Sequence, residues 1–265
     1  MDKTIELVNS VKDIHAMPTV IVKALNIMKK PTASMKELGD IVMFDQSLTI
    51  KFLALVNSAY YGFSQQISSI NIALSLLGMT KVKNIIVAVA MKPMMSNQGD
   101  KELWKHSMKV ASGCEYLANL TKIMDSDEAF IAGFVHDVGK IVLHMTNEKL
   151  YTKVINAVDM GGSILDLEKK YFDSDHVKTG SLLAKRWQLP ILLANTITYH
   201  HSPNLSSIPV PCNLVCFVDK LVQTNFNPNA IDKDFCNTLG IDFEDLEDLR
   251  NAILQKAEVM ISELS

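Results

Sequence analysis

Apolar residues recur at spacings of three and four along almost the whole of this 265-residue chain, and no segment sustains the period-two alternation of a half-buried strand. That pattern restricts the fold to helices packed on helices. Met17, Val20, Ile21, Ala24, Leu25 and Met28 form one stripe, with Pro18 near its start and Pro31 just past its end. Ser34 followed by Glu37 is a capping box, opening a second helix through Leu38, Ile41 and Val42. A third helix is predicted over about 47–58, a fourth over 69–77 stopped at Gly78, and a fifth capped by Thr80 and ending near Pro93. Five short helices with tight connections should pack as a bundle. The polar run Ser96-Asn97-Gln98-Gly99-Asp100 reads as a linker. It sets an expected boundary between an N-terminal helical subdomain, 1–96, and a second helical subdomain, 97–265. Helices are predicted there over 101–122, 127–144, 149–160, 163–172, 175–188, 190–200, 211–221 and 243–264. The last carries an apolar stripe at Leu246, Leu249, Ile253, Ala257, Met260 and Leu264. The expected class is all-α.

Composition narrows the partners. A net charge of −3 gives no electrostatic reason to expect nucleic acid or an anionic membrane. The four cysteines, Cys114, Cys212, Cys216 and Cys236, include no CxxC pair; Cys212 and Cys216 read as small hydrophobes within a helix. The N-terminal text MDKTIELVNSVKDIH lacks the apolar core of a signal peptide. The most apolar stretch, 82–95, contains Lys83, Asn84, Lys92 and Pro93 and is too short to span a bilayer. A reduced, cytoplasmic protein is expected.

Five of the seven histidines fall with two aspartates in the order His106, His136-Asp137, His176, His200-His201 and Asp219. Imidazole and carboxylate are ligands for first-row transition metals. Within one helix, adjacent residues point about 100° apart. His136 and Asp137 could then reach one ion from a single helix, the carboxylate remaining free to bridge a second. Their neighbours are apolar, and a buried aspartate is expensive without a cation or a full set of donors. The competing reading is a hydrogen-bonded polar pair in a core. Gly133 and Gly139 thin the helix on either side and allow close approach of its neighbours. Asp175 is a good N-cap for the helix that begins near His176, and Asp219 interrupts an apolar helical face. His15 and His144 take no part.

These residues, with their surroundings, resemble the HDOD (HD-related output domain) proteins of the HD metal-dependent phosphohydrolase superfamily. The N-terminal half carries Met17-Pro18-Thr19-Val20, Val56-Asn57-Ser58-Ala59-Tyr60-Tyr61-Gly62, Ile67-Ser68-Ser69-Ile70 and Leu76-Leu77-Gly78. The likeness continues through Trp104-Lys105-His106-Ser107 and Ala132-Gly133-Phe134-Val135-His136-Asp137-Val138-Gly139-Lys140, covering roughly 10–225. It implies an N-terminal short-helix bundle packed on an HD-domain-like helical bundle. Beside it, the Asn57–Gly62 motif reads physically as a buried asparagine staple, two tyrosines with polar tips, and a glycine for a sharp exit.

Many HDOD proteins have lost the HD ligands and are regarded as regulatory modules, whereas this chain matches them at His106, His136, Asp137, His176, His200, His201 and Asp219. Relatives that hydrolyse cyclic-di-GMP carry an acidic residue and a Gly-Tyr-Pro loop after the paired histidines. Here the text is Ser202-Pro203-Asn204-Leu205-Ser206-Ser207. The resemblance therefore implies a signalling protein with a retained centre of one or two divalent transition metals (Fe, Mn, Ni or Zn). It would act through a signalling protein or a small nucleotide-like ligand. The alternative is an active phosphohydrolase. His106, His136, Asp137 and Asp219 would then hold one ion, Asp137 bridging to a second on His176, His200 and His201. Lys140 would steady the phosphate, with Asp137 and Lys140 as the catalytic pair. No receiver, sensor or kinase-like segment is recognisable, so a signal is expected to arrive through a separate chain or ligand.

Overall fold

The structure is a computed structural model describing residues 2–11, 23, 34–44, 46–58, 60–96 and 101–264, and every regular element in them is helical. The 17–28 stripe, the Met17-Pro18-Thr19-Val20 motif, His15, Ala59 and residues 97–100 of the linker lie outside the described residues. No single helix among the described residues is long and apolar enough to cross a membrane.

Fifteen α-helices are described. The first half holds α1 (Lys3–Ser10), α2 (Met35–Phe44), α3 (Gln46–Val56), α4 (Ile70–Leu77) and α5 (Met79–Ser96). The capping box forms as read: the Ser34 N–H donates to Glu37 Oε2 at 2.8 Å and the Glu37 N–H donates to Ser34 Oγ at 3.2 Å. Gly78 stops α4 with φ +80°. Helix α5 runs through Pro93 instead of ending there. The proline falls in the last turn, so only the bond to the Val89 carbonyl is forfeited.

Asn57 staples the loop after α3, although it is exposed and not buried. Its Nδ2 donates to the carbonyls of Leu53 and Ile67, both at 2.8 Å, and its Oδ1 accepts from the Ile67 N–H at 2.7 Å. Gly62, at φ +64°, makes the exit. Three bonds at about 0.5–1.5 kcal/mol each predict that Asn57→Ala loses roughly 2–4 kcal/mol in urea unfolding. Asn57→Asp, which keeps only the acceptor, should lose most of the same amount.

The second half holds α6 (Lys101–Thr121), α7 (Ser126–Val135), α8 (Val138–Thr146), α9 (Glu148–Asp159) and α10 (Ile164–Phe172). It continues with α11 (His176–Arg186), α12 (Ile191–Tyr199), α13 (Pro209–Val222), α14 (Lys233–Leu239) and α15 (Leu246–Leu264). Helix α15 buries Leu246, Ile253, Ala257 and Met260 and packs on α6, α13 and α3. Trp104 of α6 is buried and donates Nε1–H to the Ala88 carbonyl of α5 at 3.4 Å, fastening the two halves.

Two glycines fix the helices that matter for the site. A Cβ on Gly133 of α7 would lie 3.0 Å from the Ala111 Cα of α6. A Cβ on Gly139 of α8 would lie 1.9 Å from the His176 carbonyl oxygen of α11. The single helix expected over 127–144 is in fact α7 and α8, with His136 and Asp137 forming the turn between them. Asp137 stands at φ −97°, ψ 14°, and its side chain caps nothing. The glycine-lined approach of α8 to α11 redirects the chain at this point, a long-range contact that local periodicity does not encode.

Candidate metal centre

Five segments deliver the seven residues. His106 comes from the second turn of α6, His136 and Asp137 from the α7–α8 turn, and His176 from the first position of α11. His200 and His201 follow α12, and Asp219 projects from α13. The structure brings all seven together around Asp137.

The two oxygens of Asp137 face different groups. Oδ2 lies 3.1 Å from His136 Nε2, 3.5 Å from His106 Nε2 and 2.5 Å from Lys140 Nζ. Oδ1 lies 3.4 Å from His176 Nε2 and 3.7 Å from His200 Nε2. Asp219 Oδ1 joins the first group, 3.0 Å from His106 Nε2 and 3.8 Å from His136 Nε2. In the second group His176 Nε2 is 3.0 Å from His201 Nε2 and 3.4 Å from His200 Nε2. His106, His136 and Asp137 form one potential ion site, and His176, His200 and His201 a second.

Hydrogen bonds fix the imidazoles. His136 Nδ1 lies 2.7 Å from the Gly133 carbonyl, and His200 Nδ1 lies 3.1 Å from the carbonyls of Thr196 and Ile197. A carbonyl only accepts, so Nδ1 carries the proton in both rings. In the neutral rings Nε2 then turns its lone pair inward, the arrangement of metal-ligating histidines. Burial, reinforced by the neighbouring imidazoles, holds His200 well below the ordinary histidine range and pushes His201 down to about 4, keeping both neutral at physiological pH. Burial opposes ionisation of Asp137, but His136 and Lys140 outweigh it and hold its carboxyl well below the usual range. Burial likewise opposes protonation of His136, yet the Asp137 carboxylate prevails and its pKa is raised.

The donor set fits transition-metal ions. His136 Nε2 and Asp137 Oδ1 are buried without a hydrogen-bond partner, and the inward lone pairs of the second group face one another. Asp137, Asp219 and Glu168 place three buried carboxylates here against one lysine, Lys140. Uncompensated buried charge is costly, and a cation among these atoms resolves both the charge and the opposed lone pairs.

A cleft of about 290 Å³ reaches both groups, lined by His106 and Asp219 of the first and His201 of the second, with Lys140 and Lys109 also in its lining. Ile155, Val158 and Ile164 give it an apolar wall. Arg186 lies at the far end of α11, donating to Asn9 Oδ1 at 2.6 Å, and does not line the cleft. His144 is buried in α8 against the Tyr151 ring, away from the ligands.

Two residues at the site escaped the sequence reading. Lys109 stands one turn after His106. Glu168 is wholly buried, and its Oε2 accepts from both the His176 N–H at 2.8 Å and Nδ1 at 2.7 Å. The available signal was a glutamate one turn from both Ile164 and Phe172, on the face of α10 that packs inward.

An all-helical chain that gathers histidines and aspartates around one His-Asp pair defines an HD-type protein. This chain belongs to the HDOD domain family, whose profile matches residues 14–203. In fold it is similar to an HDOD domain protein of unknown function from Geobacter sulfurreducens (TM-score 0.84, 23% identity, 99% of this chain and 97% of that one). It is also similar to a candidate phosphohydrolase from Shewanella amazonensis (TM-score 0.77, 19% identity, 99% of this chain and 98% of that one). Among curated proteins, an uncharacterised Treponema pallidum protein is 24% identical over 206 residues, 74% of this chain and 39% of its own length. A Vibrio cholerae protein named cyclic di-GMP phosphodiesterase CdgJ is 28% identical over 178 residues, 57% of this chain and 41% of its own length. The chain thus spans about two fifths of the curated relatives it matches.

Proposed function

We propose that this chain is a signalling-family phosphohydrolase whose centre takes two divalent transition-metal ions and acts on a small, nucleotide-like phosphate ester in the cleft. The observation that carries the reading is the convergence of His106, His136, His176 and His200 on the two oxygens of Asp137, with Asp219 and His201 against those histidines and unpartnered buried donor atoms between them. His106, His136, Asp137 and Asp219 would hold one ion, and His176, His200 and His201 the other with Asp137 between them. Such ions supply Lewis acidity toward a phosphoryl oxygen and a water-derived nucleophile at neutral pH.

The chain's own groups orient the ester. Lys140, raised in pKa because the Asp137 carboxylate outweighs its burial, remains charged and lines the cleft. It would neutralise charge developing on the phosphoryl oxygens. The apolar wall of Ile155, Val158 and Ile164 would pack against an uncharged ring. A regulatory centre that binds its ligand without turning it over is the second reading. It is favoured by the segment after His201, whose Pro203–Leu205 turn offers the site no acidic side chain.

Elemental analysis of protein reconstituted with Fe, Mn, Ni or Zn, run beside turnover on mononucleotides and phosphodiesters, tests both. The expected result is about two ions per chain and hydrolysis of a small nucleotide-like ester. Lys140→Met should keep the metal and lose about 10²–10³-fold in turnover, the scale of removing one charge-stabilising donor. Full metal content with no hydrolysis of any ester would leave the regulatory reading, and protein that takes up no ion would sink both.

A further inference from the structure

We propose that Glu168 is the positioning residue of the second ion site, making it the tighter of the two; this rests on the two-ion reading above. Only Glu168 and Phe172 of α10 are buried, and Glu168 is 0% exposed. A carboxylate in such a place needs a partner, and no lysine or arginine among the described residues pairs with it. Among the described residues its one ion-pair neighbour is His176, reached through Oε2 alone, while Oε1 is buried without a hydrogen-bond partner.

His176 is the hub of the second group. Its Nε2 faces His201 Nε2 at 3.0 Å, His200 Nε2 at 3.4 Å and Asp137 Oδ1 at 3.4 Å. By taking both the backbone N–H and the ring Nδ1–H, Glu168 fixes the ring plane and the tautomer that turns the Nε2 lone pair toward this group. An anionic acceptor on Nδ1 also makes Nε2 a stronger donor. A positive charge on Nε2 would in turn compensate the buried carboxylate, which a neutral imidazole alone does not. The first group has no equivalent: His136 leans on the neutral Gly133 carbonyl, and His106 is 25% exposed at the cleft. The two ions are therefore held unequally, and the one held by His106 and His136 leaves first.

Chelator titration of the holoprotein, read by elemental analysis and by the visible spectrum of Co²⁺-substituted protein, tests the proposal. Wild type should release its ions in two steps. His106→Ala should abolish the earlier, weaker step. Glu168→Gln keeps a carbonyl oxygen for both hydrogen bonds, removes the charge and puts an NH2 in place of the unpartnered Oε1. It should weaken the tighter step about 10–100-fold, change the Co²⁺ spectrum of that site and leave the weaker step unaltered. Glu168→Ala should do more, and if it fails to fold, Glu168→Gln decides. Two ions released from Glu168→Gln with wild-type affinities would overturn the proposal alone, whereas wild-type protein that takes up no ion would overturn the two-ion reading with it.

Discussion

Asp137→Asn is expected to empty both ion sites and abolish turnover while leaving the helices in place. The two carboxylate oxygens face opposite groups, Oδ2 toward His136 and His106 and Oδ1 toward His176 and His200. An amide presents one oxygen and one nitrogen that only donates, so whichever way it turns, one group meets an N–H where it needs an acceptor. Losing a supporting partner of a metal ligand typically costs about 10–100-fold in affinity, and losing the shared ligand itself should cost more at each site. The effect is readable without substrate. An ion present at about 1,000 times its Kd stabilises the folded state by about 4 kcal/mol, on the order of 10 °C in Tm for a chain of this size. Wild type should show that rise on reconstitution and Asp137→Asn almost none. An unchanged metal-dependent rise in the variant would remove Asp137 from the centre.

Gly139→Ala should be the most damaging glycine-to-alanine change among the described residues. In most helical settings alanine is favoured over glycine by about 1 kcal/mol. Here the added carbon would stand 1.9 Å from the His176 carbonyl oxygen and 2.6 Å from the Gly180 nitrogen, both backbone atoms that cannot rotate away. Helix α8 must then separate from α11, breaking the Thr179 Oγ bond to the Gly139 carbonyl at 3.1 Å. Overpacking of this kind costs about 1–3 kcal/mol, occasionally more. The same displacement draws His176 away from Asp137, so the second group should lose affinity beyond the stability loss. Denaturant unfolding and metal stoichiometry on one preparation check both halves. Wild-type values in both would mean that the α8–α11 approach is looser than its geometry.

The list of candidate ligands could be written from the sequence because it is a matter of residue type and order. His106, His136, Asp137, His176, His200, His201 and Asp219 could be picked out with no knowledge of where each side chain points. Helix ends written in local chemistry were equally readable: Ser34 with Glu37, Gly78, and Asp175, whose carboxylate accepts from the Lys178 N–H at 2.8 Å. Helix α1 was not foreseen. Eight residues are too few to hold a helix in water, and its stability comes from docking Leu7 and Val8 against α8 and α11.

The misread features share one cause. The turn at His136-Asp137 and the buried Glu168 each depend on a partner on another element, and Asn57 on Ile67 across the loop that follows its helix. Periodicity at three and four residues reports what one helix prefers, so it determines that the chain is helical and which faces are apolar. It carries no information about Gly139 meeting Gly180 or about α10 turning a carboxylate onto His176. Those contacts arise only when the helices pack, and they place the seven ligand-type side chains within reach of one another.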